Sequence, residues 1–100
     1  MNPLDGLDEA IKQIPKTDNP VLLMNISLKC IEQTEELIVK MLKNHAMHQN
    51  KKELEKYLIN INTIAKPQIL QEKNVEKLRE YAKSSVEMLR RIFNAFKKKM

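Results

Sequence analysis

The side chains that could support nucleophilic or metal chemistry in this 100-residue chain are one cysteine, Cys30, and two histidines, His45 and His48. A thiol beside an imidazole can act as an activated nucleophile. Cys30, however, precedes Ile31 in an apolar helical pattern, where cysteine usually behaves as a small buried residue. The histidines are three positions apart with no third ligand nearby, so exposed loop histidines are the favoured interpretation. The sequence predicts neither catalytic residues nor a metal site.

Phosphate and nucleotide chemistry is also disfavoured. Glycine-rich loops cradle phosphates through their backbone, and the chain has a single glycine, Gly6. The carboxylates alternate with lysines at helical spacing, as in "ELEK" and "KNVEKLRE", which is typical of a solvated helix face with charge pairs. We therefore expect a protein that acts by binding, is not an enzyme and needs no cofactor.

The positive charge is concentrated at the C-terminal end. Residues 73–100 hold nine Lys or Arg and three Glu, a charge of +6, and the other 72 residues sum to −1. This asymmetry favours an acidic peptide, an anionic membrane surface or weak contact with nucleic-acid phosphates. The alternative is a solvated end that follows a core helix. The predicted basic patch consists of Arg90, Arg91, Lys97, Lys98 and Lys99.

Composition and length predict an all-α fold, a compact bundle of four to five helices. One glycine, four prolines and four aromatic residues in 100 do not suit a β-sandwich or barrel. We divide the chain into an N-terminal arm or short helix (1–19) and a single helical-bundle domain (20–100). With one cysteine, no spanning apolar run and an acidic N-terminus, the sequence favours an intracellular protein.

Start signals and breakers divide the chain into elements. A short amphipathic helix is broken by Pro15, and Asp18 or Asn19 can cap a long helix that begins at Pro20. The next turn is expected at residues 44–50. Five positions then form one apolar face of a third helix: Leu54, Tyr57, Leu58, Ile61 and Ile64.

The last third of the chain predicts two further helices. Pro67 suits the first turn of a short helix with Ile69 and Leu70 inward. Asn74 then caps the final helix, whose apolar residues recur every three or four positions from residue 75 to 96. The serine pair at 84 and 85 could end one helix and cap another, so a bend is expected there.

In the order of its elements, the chain resembles the TFIIS N-terminal domain family of helical bundles over about residues 28–98. "KKELEKYLININTI" resembles the family helix "LxxLxxLxxIxIT", and "PQILQEKN" is similar to the short helix that follows it. "VEKLREY" resembles the segment "VxxLRKH", and "SSVEMLRRIFNAFKKK" is similar to the basic final helix. "EELIVKMLKNH" would correspond to the first helix.

The resemblance implies a docking module that binds short disordered motifs with an apolar or aromatic anchor flanked by acids. Carried over by position, the peptide-binding cleft involves Leu78, Arg79, Tyr81 and Lys83, with a floor formed by Ile69, Leu70 and Val86. The resemblance also implies a role in transcription elongation and a nuclear location. Without the resemblance, the expected location is the cytoplasm. For each apolar residue, plain core packing is the alternative.

A second class of function fits the same size, charge and helical composition. A small viral or bacterial immunity or inhibitor protein could act by occluding a partner or at a membrane surface. The apolar stripes of the long helices could also pair between two copies, so a homodimer is open.

Overall fold

The computed structural model describes residues 8–43 and 51–99, without the side chains of Phe96 and Lys99. The elements in these ranges are α1 (Asp8–Gln13), α2 (Pro20–Lys43), α3 (Lys51–Asn60), a π-helical turn (Ile61–Ala65), α4 (Lys66–Gln71) and α5 (Val75–Lys99). The radius of gyration is 13.9 Å, near the about 13 Å typical of a compact domain of this length. The predicted all-α bundle is confirmed. The expected turn at 44–50, including His45 and His48, lies outside the described residues.

Two asparagines start the two long helices, as the sequence predicts. The Asn19 side-chain oxygen accepts a hydrogen bond from the Val21 N–H at 3.0 Å. The Asn74 oxygen accepts one from the Glu76 N–H at 2.9 Å. Pro20 is the first residue of α2, where its missing N–H leaves no helical bond unmade. Each cap satisfies backbone donors that have no partner within the first helical turn.

The core lies mainly between α2 and α5, which form the most extensive helix pair among the described elements. Both helices bury residues at three- and four-residue steps, as an amphipathic helix must. On α2 these are Leu23, Ile26, Ser27, Cys30, Ile31, Thr34, Leu37, Ile38 and Met41. On α5 they are Leu78, Ala82, Ser85, Val86, Leu89, Ile92 and Phe93.

The two buried hydroxyl groups of α2 are satisfied within their own helix. Ser27 Oγ donates to the Leu23 carbonyl at 2.9 Å, and Thr34 Oγ1 donates to the Cys30 carbonyl at 2.8 Å. These bonds let small polar side chains lie in the interface with α5 without an unpaired donor.

Contacts at the helix ends establish the direction of each helix. Arg79, near the start of α5, hydrogen-bonds the carbonyls of Ile14 and Thr17, just before the start of α2, so α2 and α5 run parallel. The intervening α3–α4 segment (51–71) runs the opposite way, and its Lys66 forms an ion pair with Glu35 in the middle of α2. The bundle is therefore up, down, up.

The bundle is also flat. Its Cα atoms span 43 × 27 × 13 Å. The short dimension matches one interhelix spacing of about 8–10 Å plus the width of one backbone cylinder, which means two helical layers. Both the α3–α4 segment and α5 pack on α2, and they contact each other less. A groove is left between them.

The path through Pro67 differs from the prediction. Instead of a new helix at Pro67, residues 51–71 form one continuous helical segment, in which the Lys66 N–H bonds the Ile61 carbonyl five residues back. Pro67 lacks an N–H, so it cannot continue the regular ladder, and the π-turn lies directly before it. Three residues expected to point inward are instead exposed: Tyr57, Ile64 and Leu70.

The expected bend at the serine pair is wrong. Helix α5 is uninterrupted from Val75 to Lys99. Ser84 is exposed, whereas Ser85 is only 5% exposed and belongs to the buried face. Serine lowers helix propensity by only a few tenths of a kcal/mol, and packing of the flanking apolar residues outweighs this.

Candidate functional site

The groove between the α3–α4 segment and α5, hereafter the α3–α5 groove, is the candidate site. Its first part has a volume of about 200 Å³. Residues of α2, of the α3–α4 segment and of α5 contribute to it. Its described lining residues are Ile31 from α2, Ala65, Gln68 and Ile69 from the α3–α4 segment, and Tyr81, Ser84, Ser85 and Met88 from α5.

The groove continues along α5 into a second part of about 230 Å³. Ser84 and Met88 line both parts, so the two parts adjoin along α5. The second part adds Tyr57 on one wall, and Glu87, Arg91 and Ile92 on the other. Its charged groups lie on α5, while the first part is lined mainly by apolar atoms. An apolar floor with a few polar groups at the edge is typical of a binding site.

The structure brings two of the predicted cleft residues into this groove. Ile69 is buried at its floor, and Tyr81 is half-buried at its side. Leu70 is 59% exposed and faces solvent, because one step along a helix rotates a side chain by about 100°. Leu78 is fully buried in the core, so it is not accessible to a peptide.

Arg79 is occupied by the N-terminal segment of its own chain. Its Nε donates to the Ile14 carbonyl at 3.2 Å, and its Nη2 donates to the Thr17 carbonyl at 2.7 Å. It also contacts Asp18 and Glu76, at 3.0 and 3.1 Å. Its side chain is only 13% exposed. The guanidinium therefore fixes residues 14–18 against α5 and does not line the groove.

Lys83 and Val86 lie on another side of α5. Together with Ile11 and Ile14 they line a separate depression of about 270 Å³ beside α1. Ile14 is 2% exposed and joins the main core, so the segment before residue 20 packs onto the bundle. Among the predicted cleft residues, Arg79, Lys83 and Val86 thus lie on the side of α5 that faces α1.

The basic patch is a surface of α5. Arg90, Arg91, Lys97 and Lys98 are exposed, and the side chain of Lys99 lies outside the described residues. Lys97 Nζ is 5.6 Å from the centre of the Phe93 ring, within range of a cation–π contact. Among the basic-patch side chains that the structure describes, Arg91 alone lines the α3–α5 groove.

Cys30 has the environment of an inert core thiol. It is fully buried on α2, and burial raises its pKa from an ordinary value of 9.0 to about 11. The thiolate is the nucleophilic form, so this shift opposes reactivity at neutral pH. Within residues 8–43 and 51–99, no cluster of three or more His, Cys, Asp or Glu has a metal-binding arrangement.

Several groove residues could not be found from helical patterns. Ile31, Ala65 and Met88 each follow the apolar period of their own helix, which predicts burial and nothing more. They line a groove because α5 and the α3–α4 segment each pack on α2 but contact each other less, which is a property of tertiary packing. The one local signal is the run of weak helix formers from Ile61 to Ile64, which lies in the π-turn that also contains Ala65.

Comparison of the chain with protein-family models, curated proteins and solved structures returned no match in any of the three. Among the described residues, neither long helix carries an apolar stretch sufficient to cross a bilayer.

Proposed function

We propose that this protein is a non-enzymatic interaction module that binds a short peptide segment, with apolar anchors flanked by acidic residues, in the α3–α5 groove. The observation that carries the proposal is the mainly apolar first part of the groove, which adjoins a second part with Arg91 at its edge. Ile31 and Ile69 offer a floor for an apolar anchor, and Tyr81 and Met88 offer contact area at the sides. Binding energy at such sites comes from a few anchors buried in a pocket.

The charge of α5 supports an acidic partner. From residue 83 to residue 98, the described side chains carry five positive charges and one negative charge, that of Glu87. Glu87 lies 3.9 Å from Arg90, so Arg91 is left as the groove residue available to a partner carboxylate. Exposed charges of this kind mainly accelerate association and select the sign of the partner, while the apolar floor supplies affinity.

The resemblance to the TFIIS N-terminal domain family implies the same mode of action. A role in transcription elongation rests on that resemblance alone. The proposed groove is formed by α3, α4 and α5 with Ile31 of α2, and the proposal uses Ile69 and Tyr81 from the cleft that the resemblance implies.

The test is an NMR titration of the labelled protein with an acidic peptide that carries phenylalanine or leucine anchors. We expect shifts of the Ala65, Ile69 and Met88 amides. Ser84→Glu should weaken binding about ten-fold, because it places a carboxylate in the groove against an acidic ligand. The matched control is Asn94→Glu, which makes the same charge change at an exposed α5 residue that does not line the groove.

Two results would contradict the proposal. The first is the absence of shifts in the groove at about 1 mM peptide, which corresponds to only about 4 kcal/mol of binding free energy. The second is equal weakening by Ser84→Glu and Asn94→Glu. Tight binding of duplex DNA that persists at about 200 mM salt would instead assign the basic patch to phosphate contacts.

A further inference from the structure

We propose that the partner binds the α3–α5 groove as an amphipathic α-helix of about three turns, acidic on the side that faces Arg91. This inference rests on the proposed function and specifies the conformation of the ligand. It follows from the backbone of the groove walls, from the length of the groove and from the flat shape of the bundle.

The groove walls offer no backbone pairing to an extended peptide. Both walls are helices, whose N–H and C=O groups bond within the helix, and the described residues contain no strand. An extended segment over Ile31, Ile69 and Met88 would leave its own N–H and C=O groups unpaired against apolar side chains, which weakens binding. A helical ligand satisfies its own backbone and presents only side chains to the floor.

The length of the groove fits a short helix. On one wall the lining residues run from Tyr57 to Ile69, twelve residue steps, and on the other from Ile92 back to Tyr81, eleven steps. At about 1.5 Å per residue this is roughly 16–18 Å, about three helical turns. Apolar residues at positions i, i+4 and i+7 of such a ligand would lie above the floor along the whole depression.

The shape of the bundle leaves room for such a helix. The α3–α4 segment and α5 both rest on α2 and contact each other less, and the Cα atoms span only 13 Å in the thin direction. A ligand helix in the groove would add a further element to a two-layer arrangement and pack on two helices at once. Helices commonly pack in this way, with side chains of one helix between those of its neighbours.

Charge favours a separate acidic partner over a second copy of this chain. The protein has a net charge of +5 and a sequence pI of about 9.4. Arg91 borders the groove, where Glu87 is the other charged lining residue described, and Arg90 is exposed on the α1 side of the same helix. Two copies that met at this face would bring together two chains of like net charge, whereas an acidic helix would place its carboxylates beside Arg91.

The experiment compares three peptides of about 14 residues. The first is an acidic amphipathic sequence with leucines at i, i+4 and i+7, and the second has one outward-facing central residue replaced by proline. The third is a scramble with the composition of the first. We expect the first to shift the Ile69 and Met88 amides and to acquire helical Cα shifts when bound. Proline should weaken binding on the order of 100-fold, because it disrupts a helix interior. The scramble should bind weakly.

The outcomes separate this inference from the proposed function. If the proline peptide binds as tightly as its parent and the bound peptide is extended, the helical ligand is refuted and the docking function stands. If an independent acidic peptide binds elsewhere on the surface and none shifts the groove, the docking function itself fails. If sedimentation shows a dimer that Ser84→Glu dissociates and Asn94→Glu does not, a second copy occupies the groove and the inference is overturned.

Discussion

Replacement of Arg79 by methionine should destabilise the protein by about 2–4 kcal/mol. Arg79 joins the start of α5 to the segment before α2 through the carbonyls of Ile14 and Thr17. Bonds from a charged donor contribute about 1.5–3 kcal/mol each. We reduce the sum of about 3–6 kcal/mol to about 2–4 kcal/mol, because water can reach the carbonyls at this partly buried site once the guanidinium is gone. The loss is large for a domain whose total stability is typically about 5–15 kcal/mol.

The ion pairs of Arg79 should contribute much less than its bonds to the backbone. Asp18 is 91% exposed, and pairs with exposed carboxylates contribute about 0–1 kcal/mol. Asp18→Asn is therefore the matched control, with an expected loss below about 1 kcal/mol. Arg79→Lys should be nearly as harmful as Arg79→Met, because one ammonium cannot span two carbonyls that a planar guanidinium reaches together.

The assay is urea denaturation followed by far-UV circular dichroism, combined with hydrogen exchange. The Thr17 amide, which bonds the Gln13 carbonyl at 2.9 Å, should lose protection in Arg79→Met more than amides in the middle of α2. A loss below about 1 kcal/mol for Arg79→Met would refute the reasoning, because two charge-assisted bonds must exceed it. So would an Arg79→Lys variant as stable as the wild type.

Two further predictions concern the core. Leu78→Ala should lower the free energy of unfolding, measured by urea denaturation, by about 2–5 kcal/mol, because the side chain is fully buried. Leu70→Ala should lower it by less than about 0.5 kcal/mol, because Leu70 is 59% exposed. Similar losses for the two variants would contradict the assigned burial. Cys30, with a pKa of about 11 when folded against an ordinary 9.0, keeps its proton longer in the folded state, so its contribution to stability is complete below pH 9 and is lost between pH 9 and 11. The wild type should therefore lose stability more steeply than Cys30→Ala in that range, and parallel curves would contradict the raised pKa.

Much of the fold follows from local signals in the sequence. Asn19 and Asn74 cap the long helices as predicted, because a short polar side chain before an apolar helical pattern satisfies free N–H groups locally. The burial of Cys30 and Leu78 follows from the periodicity of their own helices. Each of these features depends on residues close together in the chain.

The features that escaped prediction depend on distant contacts or on competition between small effects. Arg79 binds carbonyls more than 60 residues away, which no local pattern encodes. Ser85 remains inside a helix because the packing of this buried part of α5 outweighs the modest helix propensity of serine. Tyr57 is exposed at the edge of the α3–α5 groove, between the α3–α4 segment and α5. The groove itself therefore requires the assembled bundle.

The parallel direction of α2 and α5 has an electrostatic consequence. The carbonyl ends of both helices lie at the same end of the protein, and each carries a partial charge of about −0.5 from the aligned peptide dipoles. Lys40 and Lys43 occupy the last turn of α2, and Lys97 and Lys98 the end of α5. These lysines offset the negative pole that two aligned helices create. Part of the basic C-terminal end is thus compensation within the molecule, and the charge left to attract a partner is smaller than the residue count suggests.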